Sequence, residues 1–363
     1  MSDLLYTEEE EALRSAVRSL LADHCDAATV AARAETDQPH DRALWKSLTE
    51  DMGLAGLLVP EELGGQGASH REVAVVLEEL GRSVAPVPYL TSAVIATEAL
   101  LACTGDEVSA LLTALASGRT VGVLTAPLSA APGQPFNGVR ADGGRLDGRV
   151  TGVADAIAAD VLLVPTGGGL YAVDAGADGV TVEPQTSFDR TRPVATVTFA
   201  GAPARVLTGN ALPAVRRALR AGAGLLASEQ LGVADWCLTE TVRYTRERHQ
   251  FNRPVGSFQA LKHRLAQVWL EVVGMRAAAR NAAATLASGS DDADIAVAVA
   301  QSYAGPAAVH AAEEALQLHG GIGMTWEHPV HLYLKRAKAD SIALGSAGRH
   351  REELAELVDL RAP

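Results

Sequence analysis

The sequence predicts a mainly α-helical protein with a small central β-domain. The residues offered for a core are Ala, Leu and Val: 48% of the chain is hydrophobic but only 4% aromatic. Ala- and Leu-rich runs favour helix. The hydrophobic period also changes twice, from helical to strand-like and back. At 363 residues the chain is long enough for two or three packed units. The changes of period divide it into a helical N-terminal domain over 1–118, a middle β-domain over 119–208 and a second helical domain over 209–363.

Each region carries its own signals. Thr7-Glu8-Glu9-Glu10 has the form of a capping box, and Leu13, Val17, Leu20 and Leu21 follow at helical spacing. Pro39, Gly64-Gly65-Gln66-Gly67 and Pro86-Val87-Pro88 punctuate the first helical region. Strands are expected at Val121–Thr125, Val161–Val164, Gly179–Glu183 and Val194–Phe199, each a β-rich run between turn residues. Long helices return after Pro213, which suits a first helical turn.

A net charge of -13 argues against a nucleic-acid footprint and against an anionic membrane surface. Cys25, Cys103 and Cys237 have neither metal-ligand spacing nor an even disulfide framework, and read as reduced thiols of a cytoplasmic protein. Met1–Glu11 is acidic and lacks a secretory pattern. No run of about 18 uncharged apolar residues suggests a membrane span.

Three motifs stand in order. Leu54–Gly67 contains Pro60-Glu61-Glu62-Leu63-Gly64-Gly65-Gln66-Gly67. Arg246–Gln259 reads Arg-Glu-Arg-His-Gln-Phe-Asn-Arg-Pro-Val-Gly-Ser-Phe-Gln, and Leu316–Gly323 reads Leu-Gln-Leu-His-Gly-Gly-Ile-Gly, with Trp326-Glu327-His328-Pro329 after it. Together they resemble the acyl-CoA dehydrogenase family, with its P-E-x-x-G-G-x-G, R-x-x-F-G-x-P-[IL]-x-x-x-Q and Q-x-x-G-G-x-G signatures, and the resemblance covers nearly the whole chain. It implies that the last region is a four-helix bundle, and that the cofactor is FAD, bound at a subunit interface. The implied reaction is α,β-dehydrogenation of an acyl-CoA thioester, with an electron-transfer acceptor downstream. By the same resemblance Arg248 meets the FAD diphosphate, where a guanidinium fork suits paired phosphate oxygens. Gln250 and Phe251 lie in the same segment, Phe251 as an apolar contact. Gln259 stands on the adenine side, and Gln317, Gly320 and Gly321 let an amide and bare backbone approach the diphosphate. Asn252 replaces the motif's glycine but tolerates a left-handed conformation.

Other family features are missing. The segment that family members write T-E-P-x-A-G-S-D is here Thr125-Ala126-Pro127-Leu128-Ser129-Ala130, without its acid. The W-I-[TS]-N segment against the flavin ring becomes Gly152-Val153-Ala154-Asp155. The family's glutamate base position is Leu344, and a minority family's base position is Gly222. Glu229 is a candidate displaced base, although a polar contact between helices fits it better. His319, His328 and His331 show no metal-ligand pattern with carboxylates, and read as packing or surface residues.

Keeping the clamp while losing base and ring contacts resembles the smaller, non-catalytic subunit of the heteromeric acyl-CoA dehydrogenases with which bacteria degrade steroids. That implies an α2β2 assembly with a catalytic acyl-CoA dehydrogenase-like partner and room for a bulky, steroid-derived acyl group. The alternatives are a self-sufficient homomeric dehydrogenase using Glu229, a flavin monooxygenase of the same fold, or a flavin-free scaffold.

Overall fold

A computed structural model describes residues 4–136 and 138–360. The first three positions of the Met1–Glu11 stretch and the last three of the 209–363 region lie outside the described residues. Among the described residues the helices are α1 (Glu8–His24), α2 (Ala27–Ala34), α3 (Arg42–Lys46), α4 (His70–Arg82), α5 (Thr97–Leu101) and α6 (Asp106–Ala116). The strands follow: β1 (Gly122–Leu124), β2 (Val139–Asp142), β3 (Arg145–Ala154), β4 (Val161–Thr166), β5 (Gly169–Asp174), β6 (Val180–Pro184), β7 (Val194–Pro203) and β8 (Arg205–Thr208). After them come α7 (Ala211–Glu247), the small hairpin β9 (His249–Gln250) and β10 (Arg253–Pro254), α8 (Gln259–Ser288), α9 (Ala293–His319), α10 (Val330–Asp340) and α11 (Ala347–Leu357).

Local chemistry explains most boundaries. Thr7 and Glu10 close the predicted capping box: each side chain accepts from the other residue's backbone N–H. Ser69 and Glu72 make a second box at α4, just after the glycine loop turns through Gly64 and Gly67. Asn210 caps α7 by accepting from Leu212 N–H, so Pro213 sits in the first turn as expected. Pro86–Pro88 breaks the first helical region as read. The next eight residues, Tyr89–Ala96, form a wide π-type helix that is buried along its whole length.

The four expected strands are β1, β4, β6 and β7. One sheet runs β1-β4-β5-β8 and the other β2-β3-β7-β6. β1 and β4 pair in parallel, and the remaining neighbours are antiparallel. Every residue of β4 is buried, which accounts for its unbroken apolar run. α7, α8 and α9 pack on one another, with α10 and α11 against α9.

One crossing positions the interior. α4 meets α7 backbone to backbone at Gly81 and Gly232. A Cβ on Gly232 would stand 1.9 Å from the Glu78 carbonyl oxygen, and one on Gly81 2.1 Å from that of Glu229. Neither contact yields by rotating a side chain. Gly232→Ala should therefore lower stability by about 1–3 kcal/mol, as overpacking does, in equilibrium urea unfolding. An alanine variant as stable as the parent would mean that the two helices separate freely.

Candidate functional site

The residues that the resemblance assigns to an FAD clamp collect at one end of the helical bundle. α7 stops at Glu247 and the chain reverses through β9 and β10, with Phe251 and Asn252 both at positive φ, 52° and 62°. Asn252 tolerates that conformation. For phenylalanine it is uncommon, and such outliers concentrate at functional sites. The turn leaves the Phe251 ring 85% exposed, edge-on to Phe258 at 6.0 Å between centroids. Arg248, Gln250, Gln259 and Gln317 are also exposed, and no side-chain hydrogen bond or ion pair engages them among the described residues. At the end of α9, Gly320 has φ 63° and ψ −138°. A Cβ on Gly320 or Gly321 would meet no atom within 4 Å, so bare backbone faces open space. Tyr244 and His319, whose rings lie 4.5 Å apart, join the end of α7 to the end of α9. Unpaired guanidinium, amides and open glycine backbone fit the diphosphate of a dinucleotide.

Positions 344 and 222, which the resemblance assigns to the family's base, come together, and both are apolar. Leu344 is 1% exposed, at φ 53°, and its N–H donates to the Leu128 carbonyl at 2.7 Å. A Cβ on Gly222 would lie 2.8 Å from Ile95 Cγ1 and 3.2 Å from Leu344 Cδ1. Between Ile95, Leu124, Leu128, Leu219 and Leu344 remains a cavity of about 20 Å³. Ligand pockets span roughly 300–1,000 Å³, so this one is filled by the protein itself.

The segments aligned with the flavin-ring motifs are committed to internal bonds. Gly152 N–H donates to Gln185 Oε1 at 2.9 Å, and its carbonyl accepts from Leu128 N–H. Asp155, buried at φ 56°, binds His40 and Thr91, each at 2.8 Å. Beside Pro127 a cavity of about 250 Å³ is lined by Thr125, Ser129, Arg149 and Thr151 among others. A cavity of about 480 Å³ lies elsewhere, around His40, Trp45 and Arg119. None of the sequence-predicted site residues lines it.

Glu229 sits in a buried ionic cluster. Arg192 holds both its carboxylate oxygens, at 2.6 and 2.7 Å, and Arg336 binds one of them as well. Arg336 also binds Asp189 at 2.6 Å and Thr191 at 2.7 Å, while Arg192 reaches Asp340 at 2.7 Å. Burial, and then the charge of Glu229, push the Asp340 carboxyl up to about 8. Burial opposes the charge of Asp189 too, but Arg336 wins and holds that carboxyl below its usual range. Sequence reasoning found Glu229 but missed its two arginine partners and the two aspartates that those arginines also hold, which come from the loop before β7 and from α10.

His319 and His328, which show no metal-ligand pattern with carboxylates along the chain, lie near one in space. Glu240 on α7 joins His319 and His328, with the three donor atoms all within 4.8 Å of one another. α7 and α9 run side by side in the same direction, so that their C-terminal ends meet, and spacing along the chain carries no trace of it. Burial holds both imidazoles below their usual pKa, His328 down to about 4 with help from neighbouring His319. His331 instead packs edge-on to Trp326.

Residues 7–119 match the family description "Acyl-CoA dehydrogenase, N-terminal domain", and residues 212–358 match "Acyl-CoA dehydrogenase, C-terminal domain". The acyl-CoA dehydrogenase IpdE2 of Mycolicibacterium smegmatis is 35% identical over 351 residues, 97% of this chain and 98% of that protein. A chain of the ChsE4-ChsE5 complex from Mycobacterium tuberculosis superposes with a TM-score of 0.89 at 30% identity, covering 100% of both chains. A chain of the Tcur3481-Tcur3483 steroid ACAD, in a variant form, gives a TM-score of 0.87 at 32% identity, covering 97% of this chain and 98% of that one.

Proposed function

Because this chain belongs to the acyl-CoA dehydrogenase family, whose members oxidise CH–CH groups, we propose that it is the non-catalytic subunit of a heteromeric dehydrogenase. In this reading Arg248, Gln250, Phe251, Gln259, Gln317, Gly320 and Gly321 hold the diphosphate and adenine end of FAD. The partner chain contributes the ring site and the glutamate base. When bound, FAD supplies the hydride acceptor for α,β-dehydrogenation of an acyl-CoA thioester. This chain's own residues bind and orient it from the outside. The proposed assembly is α2β2, and the proposed acyl group is steroid-derived or similarly bulky. Support for a second, different chain comes from the ChsE4-ChsE5 complex, and support for a steroid-derived group from the Tcur3481-Tcur3483 steroid ACAD.

The observation that carries this reading is Leu344. By the resemblance its side chain takes the place of a family member's base, and it lines a space of about 20 Å³ that admits no acyl chain. Removal of an α-proton needs a carboxylate within hydrogen-bond reach of the substrate, and neither Leu344 nor Gly222 offers one. A self-sufficient enzyme using Glu229 is disfavoured by the same geometry. That carboxylate is 1% exposed and clamped by two guanidinium groups, so its oxygens are engaged inside the protein and out of a substrate's reach. A flavin-free scaffold has no use for the exposed, unpaired Arg248.

No helix among the described residues is long and apolar enough to cross a membrane, so the test is direct. The chain purified alone should carry FAD well below one per subunit. Co-expressed with a catalytic partner, it should yield about one FAD per pair of chains. Arg248→Ala in that assembly should weaken FAD retention by about one to two decades, the loss of one charge-assisted contact, with the helical signal unchanged. A fully yellow homo-oligomer of this chain alone would overturn the division of labour.

A further inference from the structure

We infer that Glu240, His319 and His328 form a binding site for one transition-metal ion of the zinc class, tying the glycine turn after α9 to α7. Three separate elements supply the donors: Glu240 from α7, His319 from the last turn of α9, and His328 from the loop before α10. The inference does not depend on FAD or on a partner chain.

His319 is the most telling member. It is 2% exposed, and its Nδ1 is 2.6 Å from the Ala315 carbonyl. That contact fixes the proton on Nδ1 and leaves the Nε2 lone pair free. Nε2 is buried and has no hydrogen-bond partner, an arrangement that costs about 1–3 kcal/mol when left unsatisfied. A ring nitrogen oriented through a backbone bond on its far side is how metal-ligating histidines are held. The His328 ring lies 4.1 Å away between centroids, and its Nε2 is 3.9 Å from Glu240 Oε1. Two neutral imidazoles and a carboxylate suit Zn²⁺ and its neighbours Co²⁺ and Ni²⁺, and leave a fourth position for water.

The cost of closing the site is modest. Zinc holds its N and O ligands at about 2.0–2.2 Å, so Glu240 must swing toward the rings. Arg243 now holds that carboxylate, at 2.5 and 2.9 Å, but it keeps Glu247 at 2.7 Å when Glu240 leaves. Coordination through His328 Nε2 moves that ring's proton to Nδ1, which gives up a long 3.3 Å bond from Val330 N–H.

The test uses the full-length chain, stripped with EDTA and freed of chelator by gel filtration. Zn²⁺ is titrated in competition with a chromophoric chelator, and Co²⁺ is followed by its visible absorption. One Zn²⁺ per chain is expected, with affinity at least about tenfold weaker in His328→Ala and in Glu240→Gln, as for loss of a metal-site group. His24→Ala, at an exposed helix end, should bind like the parent. Zn²⁺ should also raise the melting temperature of the parent chain, and Co²⁺ should give the bands of a low-symmetry site with nitrogen ligands. Those two readouts need no variant and decide the matter if a substitution unfolds the chain. Zn²⁺ binding no tighter than about 1 mM, a parent with neither response, or both variants within twofold of the parent would overturn the site.

Discussion

Replacing Arg336 with methionine is expected to lower the free energy of unfolding by about 3–5 kcal/mol, as breaking a buried ion pair from one side does. Methionine keeps the apolar stem, but it strips Asp189, Glu229 and Thr191 of a shared donor. The loss should depend on pH. The folded carboxyl of Asp340 sits at about 8, above an unfolded value of about 3.9. Its contribution to stability is therefore complete below about pH 4 and disappears as pH rises through about 8. Arg336 pulls that carboxyl downward, so without Arg336 the window of declining stability reaches further up in pH. Asp189 works with the opposite sign. Its depressed carboxyl stabilises the fold above the unfolded value, and that contribution vanishes at pH 5 and at pH 8 alike once Arg336 is gone. Urea unfolding should thus show a deficit at both pH values, larger at pH 8. Asp340→Asn should flatten the slope of the native chain between pH 4 and 8. An Arg336→Met chain of parental stability, or a larger deficit at pH 5, would show that the cluster does not tie the loop before β7 to α7 and α10.

What the sequence made legible is what short stretches of chain decide. A threonine followed three residues later by glutamate forms its box whatever packs above it, so the start of α1 was readable. The same holds for β4, whose apolar run is its own signal of burial on both faces. The residues of the proposed clamp could be singled out because they lie within two short segments. Whatever depends on two distant segments meeting was hidden. Arg336 follows Lys335 with no local sign of burial, yet it is one of the largest fully buried side chains. Glu240 shares one turn of helix with Arg243, which also holds Glu247, yet the same carboxylate faces His319 and His328. The apolar character of positions 344 and 222 was evident. That Ile95 and Leu128 close over them was not, because that closure comes from the buried helix at Tyr89–Ala96 and a backbone bond between Leu344 and Leu128.

Restoring a carboxylate at the lost base position is expected to cost stability without giving this chain activity. Leu344→Glu places an ionisable group where the side chain is 1% exposed and the free space is about 20 Å³. A buried polar group without a partner costs roughly 2–7 kcal/mol, and the glutamate will hold its proton to reduce that cost, which disables it as a base near neutral pH. A second substitution, Ile95→Ala, removes the atoms that crowd Gly222 and Leu344 and should recover part of the lost stability. Activity should stay at background in both variants of the isolated chain, because a general base is worth about 10²–10⁴-fold only when substrate and acceptor are already placed beside it. Here the acyl cavity is closed, and the ring-motif segments are bonded inward to Gln185, His40 and Thr91. The measurements are urea unfolding, and anaerobic bleaching of bound flavin by acyl-CoA. If Leu344→Glu were as stable as the parent and bleached its own flavin, this chain would hold a latent active site of its own. The missing glutamate would then be the whole difference between it and a catalytic subunit.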